Sequence, residues 1–293
     1  MRPSTVDAIV AGGLDPTEVM RVIRTALDED LGPDGIDVTS RATVPDDQTG
    51  TGELVARADG VLAGIAVACA VFEAADPRTV ATPLAGDGAP VARGQVLATV
   101  VGPTRALLTA ERTALNLLSR LSGVATHTRA WTRAVAGTGA RVLDTRKTTP
   151  GLRALEKYAV RVGGGGNKRM GLFDVAMVKD NHARAAGGVV PALARVRSAY
   201  PDLPVQVEVT SVAEAAAAVA AGASFLLCDN LGPEELRRVV AAVAGRAELE
   251  ATGNLTLDRA AEYAETGVDY LSVGALTHSS PILDIAMDLQ KGP

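Results

Sequence analysis

The segment from Asp144 to Asn181 combines many cations with a run of glycines. It carries eight cations against four acids, in a chain whose net charge is -5. Arginine binds oxyanions with two donors at once, and glycine lets backbone N–H groups approach a ligand closely. The segment therefore predicts a pocket for a small polyanion bearing carboxylates and phosphates. The eight cations are Arg146, Lys147, Arg153, Lys157, Arg161, Lys168, Arg169 and Lys179.

Some of these charges have a simpler interpretation. Arg153, Lys157 and Arg161 are spaced four residues apart beside an apolar stripe, which is typical of a solvated helix face. The GGGG run at 163–166 could be a flexible linker. Such a linker seldom lies between charged strand ends, so we expect ordered backbone there.

Composition limits the class of protein. The chain has 293 residues, 47% of them hydrophobic, which is enough for one large domain or two ordinary ones. It has neither a run of about 18 apolar residues nor the pattern of a secretory signal, so we expect no membrane span and a cytoplasmic location. The acidic balance and the 3% aromatic content argue against a nucleic-acid surface. Cys69 and Cys228 lack metal-site or disulfide spacing, so we expect two buried apolar residues.

From about residue 141, short apolar runs alternate with amphipathic helical segments. Several runs are rich in Val and Leu, as buried strands are. Repeated parallel βα units of this length predict an α/β barrel. The predicted strands are 141–148, 174–181, 205–210, 225–230, 247–253 and 268–274.

Polar residues fall at the carboxyl ends of these strands. In a βα barrel such ends converge on one mouth, and the loops after the last strands commonly hold a phosphate through backbone N–H groups. We therefore expect cations from the early strands to face acids from the middle strands across one pocket. The strand-end residues are Arg146, Lys147, Lys179, Glu208, Asp229, Asn230, Thr252, Gly253 and Gly274.

The first part of the chain follows a different pattern. A helix is predicted from Asp15 to about Asp30, followed by alternating segments interrupted by glycine and proline. These features are typical of a small α+β domain with mostly antiparallel strands. A long helical pattern then begins near Leu107.

Motifs along nearly the whole chain carry a family resemblance. In order they resemble the nicotinate-nucleotide pyrophosphorylase, or quinolinate phosphoribosyltransferase (decarboxylating), family. The resemblance implies an α/β protein: an N-terminal α+β sandwich domain (1–113), an incomplete α/β barrel of the type II phosphoribosyltransferase kind (114–280), and a C-terminal helix (281–293) returning to the first domain. The motifs are ALDEDLG, DVTS, VARADGVLAG, ERTALNLLSRLSGVAT, DTRKTTPGLRALEKYAV, GGGGNKRMGLFD, VKDNH, VEV, CDN and TGVDYLSVGALTHSSP.

The resemblance also implies an activity. Members join quinolinate to phosphoribosyl pyrophosphate with Mg2+, giving nicotinate mononucleotide, pyrophosphate and carbon dioxide for NAD biosynthesis. They assemble as a homodimer or a dimer-based hexamer, in which the arginine matching Arg112 reaches the partner's pocket. By the same matching, Glu208, Asp229 and Lys147 are catalytic, and Glu208 and Asp229 meet the metal through the donor. The implied substrate-binding set is Arg112, Arg146, Lys147, Lys168, Arg169, Lys179, Glu208, Asp229, Thr252, Gly253 and Gly274.

One departure from the family pattern leaves alternatives open. The family usually reads GGGxNHR, whereas this chain has Lys168 at the histidine position. Either Lys168 supplies the same hydrogen bond with a fuller charge, or the acceptor is another heterocyclic carboxylic acid. Two other classes use some of the same residues. A Schiff-base aldolase would use Lys179 as its nucleophile, and a non-catalytic phosphate-binding barrel would keep only the glycine loops. The histidines, His127, His182 and His278, are expected to be structural.

Overall fold

A computed structural model describes residues 1–290. The chain forms two compact units. The first contains residues 1–127, residues 148–164 and the chain from Ser279 on, and the second contains residues 128–147 and 165–278. The predicted domain boundary at residues 113/114 falls within one continuous helix, Thr104–Ala134, and stays a prediction.

The elements of the N-terminal part alternate between helices and short strands. In chain order they are α1 (Pro3–Ala11), α2 (Pro16–Leu31), α3 (Val38–Thr43), β1 (Thr49–Ala56), β2 (Gly60–Val61), α4 (Ile65–Ala75), β3 (Val80–Pro83), β4 (Pro90–Val91), β5 (Val96–Pro103) and α5 (Thr104–Ala134).

The later elements mostly alternate strand and helix. In chain order they are β6 (Arg141–Leu143), α6 (Arg153–Val162), β7 (Ala176–Val178), α7 (Asp180–Ala186), α8 (Val189–Ala199), β8 (Val205–Val209), α9 (Val212–Ala220), β9 (Phe225–Asp229), α10 (Pro233–Val243), β10 (Glu248–Thr252), a 3-10 turn (Leu257–Arg259), α11 (Ala260–Ala264), β11 (Tyr270–Ser272), α12 (Ala275–His278) and β12 (Ile285–Gln290).

The first unit is built on a four-stranded antiparallel sheet in the order β12-β1-β5-β3. Helix α4 packs against β3 and β5, and α1 and α2 pack against α4. Helix α2 begins where predicted, since the Asp15 carboxylate accepts a hydrogen bond from Thr17 N at 2.8 Å and Pro16 occupies the first turn. Val19, Ile23 and Leu27 recur every four residues and form its buried face. The predicted α+β character of this unit is confirmed.

The predicted C-terminal helix over 281–293 is wrong. Residues Ile285–Gln290 form strand β12, which pairs antiparallel with β1. The segment alternates apolar Ile285, Met287 and Leu289 with less apolar neighbours, a period of two that favours a strand when a sheet edge is available. Residues 291–293 of the prediction lie outside the described residues.

The second unit is built on a six-stranded sheet in the order β6-β11-β10-β9-β8-β7, and every pair in it is parallel. Its end strands, β6 and β7, do not pair with each other in the described part of the chain, so the barrel is incomplete, as the family resemblance implied. All six predicted strands are present but shorter. Pairing stops near the first polar residues, which continue into loops at the carboxyl edge of the sheet.

Of two predictions for the cation-rich segment, the one for Lys157 is wrong and the one for the end of the glycine run is confirmed. Lys157 was expected on a solvated helix face, yet its side chain is fully buried. Helix α6 buries the run from Leu155 to Val160, so the charge spacing did not reveal its orientation. The end of the glycine run is ordered as expected, because Gly166 N donates to Val142 O at 2.8 Å and Gly166 O accepts from Asp144 N at 3.1 Å.

Both cysteines are buried and free, as predicted. Burial raises the pKa of the Cys69 thiol and of the Cys228 thiol to about 12, since a thiolate loses its hydration there. The thiolate is the reactive form. We expect neither cysteine to react with a disulfide reagent at pH 8 in the native protein, whereas both react after denaturation. Rapid labelling of the native protein would contradict this burial.

Candidate active site

A cavity of about 800 Å³ opens at the carboxyl edge of the parallel sheet. This volume suits a small-molecule ligand. Ten of the eleven residues proposed as substrate-binding line it. Lys168 and Arg169 come from the loop between α6 and β7, and the others come from the ends of the six strands or the loops that follow them. The ten residues are Arg146, Lys147, Lys168, Arg169, Lys179, Glu208, Asp229, Thr252, Gly253 and Gly274.

The first pair of cations follows β6. The backbone at Lys147 is held from two sides: its N–H donates to Thr145 Oγ1 at 3.1 Å, and its carbonyl accepts from Thr277 Oγ1 at 2.9 Å. Arg146 Nε is buried and has no hydrogen-bond partner within the described residues. A buried donor without a partner is costly, which marks Arg146 as a residue held at this position at some expense of stability.

Asp144 orients the second pair of cations. This carboxylate is fully buried and accepts from Lys168 N at 2.8 Å and from Asn167 Nδ2 at 2.6 Å. Arg169 donates to Val175 O at 3.0 Å, and its pKa is lowered by burial and by the nearby Arg146. Close spacing of several cations in this way prepares a site for an anion.

Lys168 has an ion-pair partner that the sequence pattern did not reveal. Its Nζ donates to Glu250 Oε1 at 2.5 Å, and Gln206 Nε2 donates to Glu250 Oε2 at 2.6 Å. Glu250 and Gln206 are both fully buried. Burial lowers the pKa of the Lys168 ammonium, aided by Lys179 and Arg169, while Glu250 opposes that shift.

The two acids of the cavity come from β8 and β9. Glu208 lies 3.5 Å from Lys179 Nζ and accepts from Asp180 N at 3.3 Å. Asp229 accepts from Asn230 Nδ2 at 2.9 Å. The acids therefore stand on middle strands of the sheet opposite the cations of β6, as predicted.

The turns after β10 and β11 bring backbone close to the cavity. Gly253 has a φ of +94°, and a Cβ on it would lie 2.3 Å from Asn230 Oδ1. A Cβ on Gly274 would lie 3.0 Å from Lys147 Cδ and 3.2 Å from His278 Nε2. Side chains larger than hydrogen do not fit at either position without movement, which explains the glycines and leaves their N–H groups accessible to a ligand.

Asn230 and Asn254, which sequence reasoning did not assign to binding, also line the cavity. They have φ values of 55° and 49°, in the left-handed region that asparagine tolerates better than most residues. Asn254 Nδ2 donates to Asn230 Oδ1 at 3.2 Å. Backbone in this conformation near a ligand site is a frequent mark of function.

Arg112 is the proposed substrate-binding residue that does not line this cavity. It is exposed on α5.

Of the three histidines, His278 lines the cavity, which sequence reasoning did not anticipate. His127 has its pKa lowered by burial and lies 2.8 Å from Ser280 Oγ, and His182 Nδ1 accepts from Lys179 N at 3.1 Å at the start of α7. Those contacts suit the structural roles expected of His127 and His182.

The carboxylates suit Mg2+ only together with a phosphate ligand. Over residues 1–290, no group of three or more His, Cys, Asp or Glu side chains could hold a metal ion. Mg2+ is commonly bound by one or two carboxylates plus substrate phosphates and water. Glu208 and Asp229 supply the two carboxylates, so the donor set fits a metal that arrives with its phosphates.

Family models match both parts of the chain. The C-terminal domain of quinolinate phosphoribosyl transferase matches residues 124–288, and the N-terminal domain matches residues 37–122. The chain belongs to the quinolinate phosphoribosyltransferase family. Family membership accords with the cation-lined cavity at the sheet edge.

Individual members resemble the chain over most of its length. The nicotinate-nucleotide pyrophosphorylase [carboxylating] of Mycobacterium leprae is 51% identical, over 91% of this chain and 95% of that protein. The probable enzyme of the same name from Bacillus subtilis is 40% identical, over 89% and 90%. The structure of the nicotinate-nucleotide pyrophosphorylase from Francisella tularensis superposes with a TM-score of 0.90 at 35% identity, covering 94% of this chain and 98% of that one.

Proposed function

We propose that this protein transfers the phosphoribosyl group of phosphoribosyl pyrophosphate to quinolinate and releases carbon dioxide. The products are nicotinate mononucleotide and pyrophosphate, and the reaction serves NAD biosynthesis. The protein is a pentosyltransferase, with the activity of nicotinate-nucleotide pyrophosphorylase (carboxylating). One observation carries the assignment: in a member of this family, five cations and two acids line one cavity beside two glycine turns.

Quinolinate binds through its carboxylates. Arg146, Lys147, Lys168 and Arg169 line the cavity and offer charge-assisted donors to these carboxylates. Carboxylates held at two positions orient the ring nitrogen toward the donor. Positioning of this kind supplies much of the rate in a two-substrate reaction.

The donor, phosphoribosyl pyrophosphate, occupies the rest of the cavity. Backbone N–H groups at Gly253 and Gly274 receive its 5-phosphate, and Glu208 and Asp229 contact the ribose hydroxyls. As the anomeric C–O bond to pyrophosphate breaks, positive charge develops on the sugar, and the two carboxylates stabilise it. Glu208 and Asp229 would hold Mg2+ through the donor. The metal would neutralise charge on the departing pyrophosphate.

The bond changes balance without a nucleophilic side chain. The ring nitrogen's lone pair forms the bond to the anomeric carbon while pyrophosphate leaves with the electron pair. The alkylated ring is then cationic and accepts the electrons released when the 2-carboxylate departs as carbon dioxide. The electron pair left on ring carbon 2 takes a proton from water, which completes nicotinate mononucleotide. The chain's task is therefore to bind, orient and stabilise charge.

The structure argues against two of the three alternative functions and leaves the third to experiment. A Schiff-base lysine is activated by desolvation or by a neighbouring cation, whereas Lys179 is 48% exposed and its ammonium is paired with the Glu208 carboxylate at 3.5 Å. A non-catalytic phosphate-binding barrel has no use for Glu208 and Asp229 beside its glycine turns. Another heterocyclic acid as acceptor concerns the same site, and an acceptor screen decides it.

The assay for this function measures stoichiometry. With Mg2+ and phosphoribosyl pyrophosphate, we expect quinolinate to disappear while carbon dioxide and pyrophosphate form in equal amounts. Omitting the donor must abolish carbon dioxide release. No turnover of quinolinate by folded, donor-binding protein would refute the proposal, and turnover of a different pyridine or pyrrole carboxylate would assign the alternative acceptor.

A glycine substitution tests the donor side. Gly253→Ala places a Cβ 2.3 Å from Asn230 Oδ1 at a residue whose φ is +94°, so the turn must shift. We expect the KM for phosphoribosyl pyrophosphate to rise about tenfold. Gly137→Ala is the matched control, since its φ is +85° but nothing lies within 4 Å of the added Cβ. An unchanged donor KM in the Gly253 variant would remove this turn from the donor site.

We further propose a homodimer, or a hexamer built from three such dimers, in which Arg112 completes the partner's cavity. The exposure of Arg112 on α5 leaves its guanidinium available for that contact.

No helix in residues 1–290 is long and apolar enough to cross a membrane. A cytoplasmic location stays a prediction.

A further inference from the structure

Glu250 belongs to a buried network of three side chains, Lys168, Glu250 and Gln206. Glu250 lies in the middle of β10, with no exposed surface. Its two carboxylate oxygens accept from two different side chains: Lys168 at 2.5 Å and Gln206 at 2.6 Å. A buried carboxylate is strongly unfavourable unless both its charge and its hydrogen bonds are compensated. Lys168 supplies the charge, and Gln206 supplies the second hydrogen bond.

The Gln206 amide is oriented by this carboxylate. Its Nε2 faces Glu250, while its buried Oε1 has no hydrogen-bond partner among the described residues. The opposite orientation would place an amide oxygen against a carboxylate oxygen, and both are acceptors. The bond to Glu250 therefore decides which way the amide faces, and Gln206 in turn holds the second carboxylate oxygen.

Lys168 is held at both ends. Its backbone N–H is bound by Asp144 at 2.8 Å, and its ammonium is bound by Glu250. Lysine ordinarily has a flexible four-carbon chain whose ordering costs entropy on binding. Here the side chain is 11% exposed and lines the cavity. The cost of ordering the cation has thus been met before any ligand arrives.

Glu250 also offsets repulsion within the cavity. Lys168 is close enough to Lys179 and Arg169 for both to lower the pKa of its ammonium, with burial acting in the same direction. Without a carboxylate partner, a buried lysine beside two other cations loses its proton or moves toward solvent. Either change would take away a positive charge that faces the ligand.

We propose that Glu250, anchored by Gln206, is a positioning residue that fixes the Lys168 ammonium for binding an acceptor carboxylate. This inference rests on the proposed function. Glu250 has no exposed surface and its position is set by other side chains, so it acts through Lys168. The arrangement of Gln206, Glu250 and Lys168 governs affinity for the acceptor and leaves the donor side unaffected.

The test separates acceptor from donor. Glu250→Gln keeps the shape of the side chain and removes its charge, and we expect the acceptor KM to rise about 10- to 100-fold. The donor KM should stay within about twofold of wild type, because the glycine turns are untouched. Lys168→Met should raise the acceptor KM similarly. The double variant should be no worse than the more impaired single variant, because residues that act as one unit are not additive.

Several results would overturn the proposal. They are an unchanged acceptor KM in Glu250→Gln, an equal rise in both KM values, or effects that multiply in the double variant. If Glu250→Gln does not fold, Lys168→Met and Gln206→Met decide, and an unchanged acceptor KM in both would overturn it. Wild-type turnover of quinolinate is measured first. If that fails, the proposed function fails, and calorimetric titration of each variant with quinolinate still judges the role of Glu250 by binding alone.

Discussion

Alanine in place of Arg146 or Lys147 will lower kcat/KM for quinolinate about 10- to 150-fold, while the protein stays folded. Each change removes a charge-assisted contact worth roughly 1.5–3 kcal/mol. The Arg146 variant also removes a buried donor, Nε, that has no partner within the described residues. Loss of this unpaired donor therefore costs the free protein little stability, and the substitution acts mainly on the complex with quinolinate. Initial rates over a range of quinolinate concentrations measure the effect.

The matched control is Arg195→Ala. Arg195 is an exposed arginine on α8 and does not line the cavity, so its loss should leave kcat/KM unchanged. Circular dichroism and thermal melting check the fold of all three variants. Kinetics near wild type for both cavity variants would mean that these cations do not contact the acceptor.

Arg112→Ala and Glu208→Ala will each be inactive, yet mixing them will restore activity. Glu208 lines the cavity, whereas Arg112 is proposed to reach the partner's cavity. Random exchange of subunits makes half of the dimers hybrid, and one cavity of each hybrid then holds both wild-type residues. The expected recovery is about a quarter of wild-type activity. The measurement requires dissociation and reassembly of the two variants in equal amounts.

A second mixture controls for incidental effects of exchange. Glu208 and Asp229 line the same cavity of one chain, so every cavity in a hybrid of Glu208→Ala with Asp229→Ala carries one defect. That mixture should stay inactive. Recovery in both mixtures, or in neither despite demonstrated exchange, would contradict an active site shared through Arg112.

The strand-end residues and the class of ligand follow from the sequence pattern. Short apolar runs separated by helices predict parallel strands, and parallel connections bring all carboxyl ends to one edge. The strand pattern therefore predicts that residues as distant as Arg146 and Gly274 lie around one cavity. The motifs likewise identified the family, because their order along the chain is itself informative.

The tertiary structure alone decided which charges are buried and how they pair. Glu250 and Gln206 lie inside strands, where alternation says only that a side chain points to one face or the other. Lys157 shares its spacing with Arg153 and Arg161 but is fully buried. The C-terminal segment became a strand because β1 offers it an edge, which is a partner more than 200 residues away. Local pattern specifies which elements form, whereas burial and pairing depend on neighbours that only the folded chain brings together.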